Sequence, residues 1–145
     1  MESAERLEDA LARMRFAVEA EDFVLLGFPE APSPADMDSM QPPAQMIVEP
    51  GATSMLVRAR HAPKILARHA GVEQQVGLRW IRFELPMGWE LVGFLARVTS
   101  ALAAAGVPLG AVCSYHRDHL FVAGPHLEAT LEVLGQLFPD GLAEE

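Results

Sequence analysis

Between Ala105 and Pro125 the sequence reads AGVPLGAVCSYHRDHLFVAGP, and this run constrains the fold more than any other part of the chain. Gly106 followed by Pro108 stops a helix, because glycine accepts the left-handed conformation at a helix end and proline cannot continue the helix. Leu109–Tyr115 and Asp118–Ala123 then read as two short strands meeting at a polar turn. Gly124-Pro125 opens another helix. Helix, hairpin and helix in succession form the middle of an α+β unit, with helices on one face of an antiparallel sheet.

The flanking segments extend this pattern. Val76–Leu85 (VGLRWIRFEL) is predicted as a strand from its β-branched and aromatic content. Pro86-Met87-Gly88 breaks it. Leu91, Leu95, Val98, Leu102 and Ala105 share one helical face and predict a helix over Trp89–Ala105. Leu127, Leu131, Leu134 and Phe138 do the same for the last helix. The second half therefore runs βαββα, a ferredoxin-like unit missing its last strand.

The first half resembles the same unit missing its first strand. Leu7, Leu11, Met14 and Val18 predict an amphipathic helix over about Ser3–Glu19. Asp22–Phe28 reads as a buried strand. Prolines at 29, 32, 34, 42 and 43 exclude regular structure from Pro29–Pro43, which is expected to be a mobile loop. Gln45–Glu49 and Ser54–Ala59 pair around the turn Glu49-Pro50-Gly51-Ala52. His61–Ala70 is a short helix ended by Gly71, with His61 and His69 expected on the surface. Two incomplete halves, 1–72 and 73–145, are expected to complete each other by sharing strands, within the chain or across a dimer. The tail Leu142–Glu145 is expected to fray.

Composition narrows the function classes. Half of the 145 residues are hydrophobic, enough for a packed interior. Eleven basic against 20 acidic residues give a net charge of -9 and no Lys/Arg stripe, which argues against nucleic acid and anionic membranes as partners. The single cysteine, Cys113, excludes an intrachain disulfide and a thiolate zinc site, and its apolar neighbours predict burial. The charged start MESAERLEDALARM is not a signal peptide, and no apolar run approaches membrane-spanning length. A cytoplasmic location is expected.

The layout strand–PxGxELxG–helix–AGVP–strand–SYxxDHxFV–helix resembles the ACT domain, a small ferredoxin-like module that binds amino acids. More narrowly, Tyr115, Asp118, His119, Phe121 and Val122 reproduce a Tyr-X-X-Asp-His-X-Phe-Val motif of short bacterial tandem-ACT proteins. The resemblance implies tandem βαββαβ units and regulation through a bound small molecule, with no catalysis and no cofactor. It also places a ligand near the loop between first strand and first helix, here Pro86-Met87-Gly88-Trp89-Glu90.

The residue chemistry of that loop fits such a role. A helix start there would offer unpaired N–H groups to a carboxylate, and Gly88 would let the ligand approach the backbone. Glu90 is then expected to pair with an α-ammonium; alternatively it is a first-turn acid favoured by the helix dipole. Trp89 is either a pocket wall or an exposed interface aromatic. Gly93, read as lying inside the helix at a cost of about 1 kcal/mol, needs a packing or ligand-approach reason.

On the hairpin, Ser114 and Asp118 can donate to and accept from a ligand, with Tyr115 on the opposite strand face from Ser114. His119 is expected to hydrogen-bond across the turn. Hairpin closure explains Asp118 and His119 equally well. Zinc on His116, Asp118 and His119 would require side chains from opposite strand faces to converge, so no metal is expected. A Ser114–His116 dyad lacks a nucleophile elbow.

The expected function is a non-enzymatic, homodimeric regulatory protein that binds a small molecule, an amino acid, through Met87, Gly88, Trp89, Glu90, Gly93, Ser114, Tyr115, Asp118 and His119. The alternative is a ligand-free interaction module.

Overall fold

The computed structural model describes residues 5–142. The chain groups into two compact units, one formed by residues 20–78 and the other by the residues up to Glu19 together with those from Arg79 onward. The division expected at residue 72 is thus replaced by a discontinuous one, in which the chain start belongs with the second half.

The unit of residues 20–78 contains β2 (Phe23–Phe28), β3 (Gln45–Glu49), β4 (Ala52–Arg58), α2 (Ala62–Arg68) and the first part of β5 (Glu73–Phe83). All pairings are antiparallel, in the order β3–β4–β2–β5. Its core is Val24, Leu26, Phe28, Met55, Val57, Ala62 and Ile65. The alternation along β2, with Leu26 and Phe28 buried and Leu25 exposed, is that of a strand with one covered face.

The proline-rich segment is more ordered than the sequence suggests. Pro34–Ser39 is a 3-10 helix with Ser33 as its cap. Asp36 accepts from the Ser33 N–H at 2.7 Å and the Ser33 hydroxyl at 3.0 Å. The fully buried Asp36 carboxylate also receives Arg68 Nη2 at 2.7 Å and meets His69 Nε2 at 2.6 Å. His69 is therefore a structural partner, not a surface residue, and its ring stacks edge-on to Phe28. His61 is also partly buried, with Nε2 enclosed. Burial and the nearby Arg60 and Arg58 charges lower its pKa.

The second unit holds β1 (Phe16–Val18), the end of β5, β6 (Gly110–Cys113), β7 (Asp118–Ala123), and helices α1 (Leu7–Arg13), α3 (Phe94–Ala104) and α4 (Leu127–Leu137). The order is β1–β5–β7–β6. β1 takes the place of the missing last strand, pairing Phe16 with Phe83 and Val18 with Ile81. The helix expected over Ser3–Glu19 is accordingly shorter: it ends at Arg13, and its last periodic position, Val18, belongs to β1. Phe16, Ile81, Phe83, Leu120 and Val122 present one sheet face to Leu11, Met14, Phe94, Val98, Leu102, Leu134 and Phe138. This is the ferredoxin-like α+β arrangement expected from the sequence.

Two glycines set the limits of α3. Gly106, at φ 75°, ends it: Val107 N–H bonds to Leu102 C=O at 3.0 Å and Gly106 N–H to Ala103 C=O at 3.0 Å, satisfying carbonyls the helix leaves free. Gly93 caps the start at φ 95°, so it lies before the helix, not inside it. A Cβ there would sit 3.2 Å from the Leu7 side chain of α1. Trp89–Val92 are consequently non-helical, with a turn closed by Leu91 N–H to Gly88 C=O at 3.1 Å. Cys113, expected buried, is exposed on the edge strand β6. Of the tail, residues 143–145 lie outside the described residues; Leu142 bridges to Phe16.

Candidate functional site

The loop after β5 and the β6–β7 hairpin face each other across a cleft of about 260 Å³ in the second unit. Met87 N–H bonds to the His116 carbonyl at 3.3 Å, tying loop to hairpin. The hairpin turn is held internally: Ser114 N–H donates to the Arg117 carbonyl at 2.8 Å, and the Arg117 N–H returns to the Ser114 hydroxyl at 3.2 Å. That reciprocal pair fixes the four residues of the turn. Arg117 is anchored in addition by its Nε, which donates to the Glu84 carbonyl at 3.0 Å.

Strand alternation decides which hairpin side chains reach the cleft. Asp118 shares its sheet face with Leu120 and Val122, which pack toward the helices. His119 and Phe121 point the other way, against Trp80. There the Trp80 indole N–H donates to His119 Nδ1 at 3.0 Å, and His119 Nε2 lies 3.3 Å from the Ser114 hydroxyl. An Nδ1 that accepts from an indole carries no proton, so the imidazole is neutral with its hydrogen on Nε2. Burial, followed by the Arg82 and Arg117 charges, lowers its pKa and acts in the same direction.

Asp118 has the opposite character. Its carboxylate is partly buried and has no hydrogen-bond or cation partner among the described residues. Burial pushes its pKa up. A carboxylate withdrawn from water without a partner is costly, and such a group in a cleft is one that a cation would relieve.

Six of the nine sequence-derived residues line the cleft: Met87, Gly88, Trp89, Ser114, Tyr115 and Asp118. Glu90, Gly93 and His119 do not. Glu90 is exposed in the turn outside the cleft, because α3 begins at Phe94 and the expected helix start at Gly88 does not form. Gly93 serves the approach of Leu7, and His119 lies on the opposite sheet face. The cleft also contains residues the sequence reading left out: Arg117, Leu91, Phe94 and Leu95. Arg117 had a legible signal, since it adjoins Asp118 at the tip of a polar turn and carries the opposite charge. Among the described residues no three His, Cys, Asp or Glu side chains are grouped to hold a metal ion. None of the described helices is long and apolar enough to cross a membrane.

Comparison with known proteins gives a consistent picture of the fold. A protein of unknown function from Vibrio cholerae is 25% identical, with a TM-score of 0.70 over 90% of this chain and 94% of that one. A protein from Agrobacterium tumefaciens is 18% identical, with a TM-score of 0.75 over 92% and 94%. The regulatory subunit of aspartate kinase from Thermus thermophilus is 15% identical, with a TM-score of 0.60 over 84% and 95%. No curated protein matches the chain. The family model that matches is that of the ACT domain, over residues 75–136, which include the whole loop–hairpin cleft. Residues 75–136 of this chain are thus similar to the ACT domain.

Proposed function

We propose that this protein is a non-catalytic regulatory module that binds a free amino acid in the cleft between the 87–91 loop and the 113–118 hairpin. The observation that carries the reading is the partnerless, partly buried Asp118 carboxylate in that cleft. Asp118 takes the α-ammonium, a role the sequence pattern suggested for Glu90. Arg117, whose Nε is already held by the Glu84 carbonyl, directs its terminal nitrogens to the α-carboxylate. The first turn of α3, whose opening N–H groups lack helical partners, adds donors. The ACT match and the likeness to an aspartate kinase regulatory subunit support regulation through a bound ligand. Binding is expected to act through a homodimer.

The test is a thermal-shift screen of the twenty amino acids at millimolar concentration, repeated on Asp118→Asn and Glu90→Ala. At least one amino acid should raise Tm in the native protein and in Glu90→Ala, but not in Asp118→Asn. A flat response to all twenty overturns the reading.

A second reading has its own support. The edge strand β3 exposes Ile47 and Val48, the latter 72% accessible, and an open edge can pair with another chain. If the protein is a ligand-free interaction module, Val48→Lys should abolish self-association in sedimentation while the amino-acid screen stays flat.

A further inference from the structure

The charged groups explain why an amino acid would bind; the rest of the cleft indicates which kind. Below Asp118 and Arg117 the lining is apolar, with Met87, Leu91, Phe94 and Leu95. At its mouth stand Trp89 and Tyr115, 92% and 93% exposed, two large aromatic rings with almost no surface covered. Apart from the charged pair, the side-chain polar groups on the cleft are those of Ser114, His116 and Cys113, with the Tyr115 hydroxyl and the Trp89 indole N–H on the two exposed rings. Ser114 is engaged with the Arg117 backbone in the turn. No second carboxylate and no further Lys or Arg lines the cleft to meet a charged ligand side chain. The volume of about 260 Å³ falls just under the ~300–1,000 Å³ typical of drug-sized ligands, which suits a single amino acid.

On the reading that the cleft binds an amino acid, we propose that it selects those with a large apolar or aromatic side chain. The side chain lies on Phe94, Leu91 and Leu95 while Trp89 and Tyr115 close over it. A charged side chain placed there would lose its hydration with nothing in return, which is the source of the discrimination. An ammonium held by Asp118 beside the two rings gains cation–π attraction as well.

Titration monitored by tryptophan fluorescence and by calorimetry tests this, with Trp89 as the reporting ring. L-phenylalanine and L-leucine should bind at least tenfold more tightly than L-aspartate and L-lysine. 3-Phenylpropanoate, which keeps ring and carboxylate but lacks the amine, should bind at least tenfold more weakly than L-phenylalanine. Asp118→Asn should lose L-phenylalanine without a lower Tm of the free protein, and Phe94→Leu should weaken L-phenylalanine more than it weakens glycine. Preferential binding of aspartate, lysine or glycine, abolished by Asp118→Asn, overturns the apolar selectivity and leaves amino-acid binding standing. Equal binding of 3-phenylpropanoate overturns the role of Asp118. Binding of none of these compounds overturns both the selectivity and the reading beneath it.

Discussion

Replacing His119 by Phe separates the hydrogen bond beneath the hairpin from the ring packing around it. In the native protein the buried Trp80 indole N–H has His119 Nδ1 as its acceptor at 3.0 Å, and the two rings meet edge to face with centroids 5.5 Å apart. A phenyl ring preserves the edge-to-face contact but accepts no hydrogen bond, so the substitution orphans a donor on a residue only 3% exposed. An unsatisfied buried donor costs about 1–3 kcal/mol. His119→Ala would add the lost ring contact, roughly 0.5–1.5 kcal/mol further. Removing both polar groups in Trp80→Phe/His119→Phe should recover part of the loss, because an apolar pair leaves no orphaned donor. Urea unfolding of the four proteins completes the cycle, and the expected coupling is about 1–2 kcal/mol.

The same pair predicts an acid limb in the stability curve. The folded-state pKa of His119 is depressed, first by burial and then by Arg82 and Arg117, so between its ordinary value and its folded value the unfolded chain binds a proton that the native protein refuses. Stability is therefore fully present above about pH 6.5 and falls as the pH is lowered through that window. Glu84 is the charge that opposes this trend. His61, also depressed, contributes a parallel loss, so His119→Phe should flatten the limb in part and His119→Phe/His61→Gln nearly completely. A His119→Phe cost under ~0.5 kcal/mol, or a coupling near zero with Trp80→Phe, would refute the reasoning, because an orphaned buried N–H cannot be that cheap.

Three other perturbations follow from the packing. Asp36→Asn should destabilise by about 3 kcal/mol, since it removes the charge that Arg68 faces and replaces one of the two oxygens serving Arg68, Ser33 and His69 by an NH2 donor. Burial raises the Asp36 pKa, but bonds from Arg68, Ser33 and His69 outweigh this and hold it at about 2; native stability should thus fall as pH drops from ~4 through 2, and in Asp36→Asn that component of the acid melt, followed by circular dichroism, should vanish. Gly93→Ala should cost about 1–2 kcal/mol in urea unfolding, from the φ of 95° alone, with the Leu7 side chain 3.2 Å from the new Cβ adding to it. Cys113, exposed on β6 and lining the cleft, should react with Ellman's reagent in the folded protein, and a bound amino acid should slow that reaction.

The legible parts of this fold are those where a local pattern and the tertiary environment agree. The β6–β7 hairpin was readable because Gly106, Pro108 and Gly124-Pro125 bracket it with helix ends whose chemistry needs no distant partner. β1 was not readable, because Val18 continues the three- and four-residue spacing of Leu7, Leu11 and Met14; only pairing of Phe16 and Val18 with Phe83 and Ile81, far along the chain, turns that segment into a strand. The proline-rich segment concealed a capping box for the related reason that Pro34 is tolerated at a helix start, and the partners that hold Asp36 come from α2.

The cleft itself was half legible, and the missing half explains its chemistry. Leu91 and Leu95 fit one helical face, so periodicity drew the helix start back to Trp89 and gave Glu90 a dipole to complement. The left-handed φ of Gly93 places that start at Phe94 and leaves Glu90 in solvent. The shift frees Trp89 from the helix and brings Phe94 and Leu95 to the cleft, so the acid that matters is the one on the hairpin. Period-two alternation on β7 could have identified it beforehand: once Leu120 and Val122 are assigned to the core, Asp118 must share their face and His119 must not. A carboxylate on the helix side of a sheet, two residues from the core and without a partner, is a strained arrangement for a free protein and a favourable one for a protein that holds an amine.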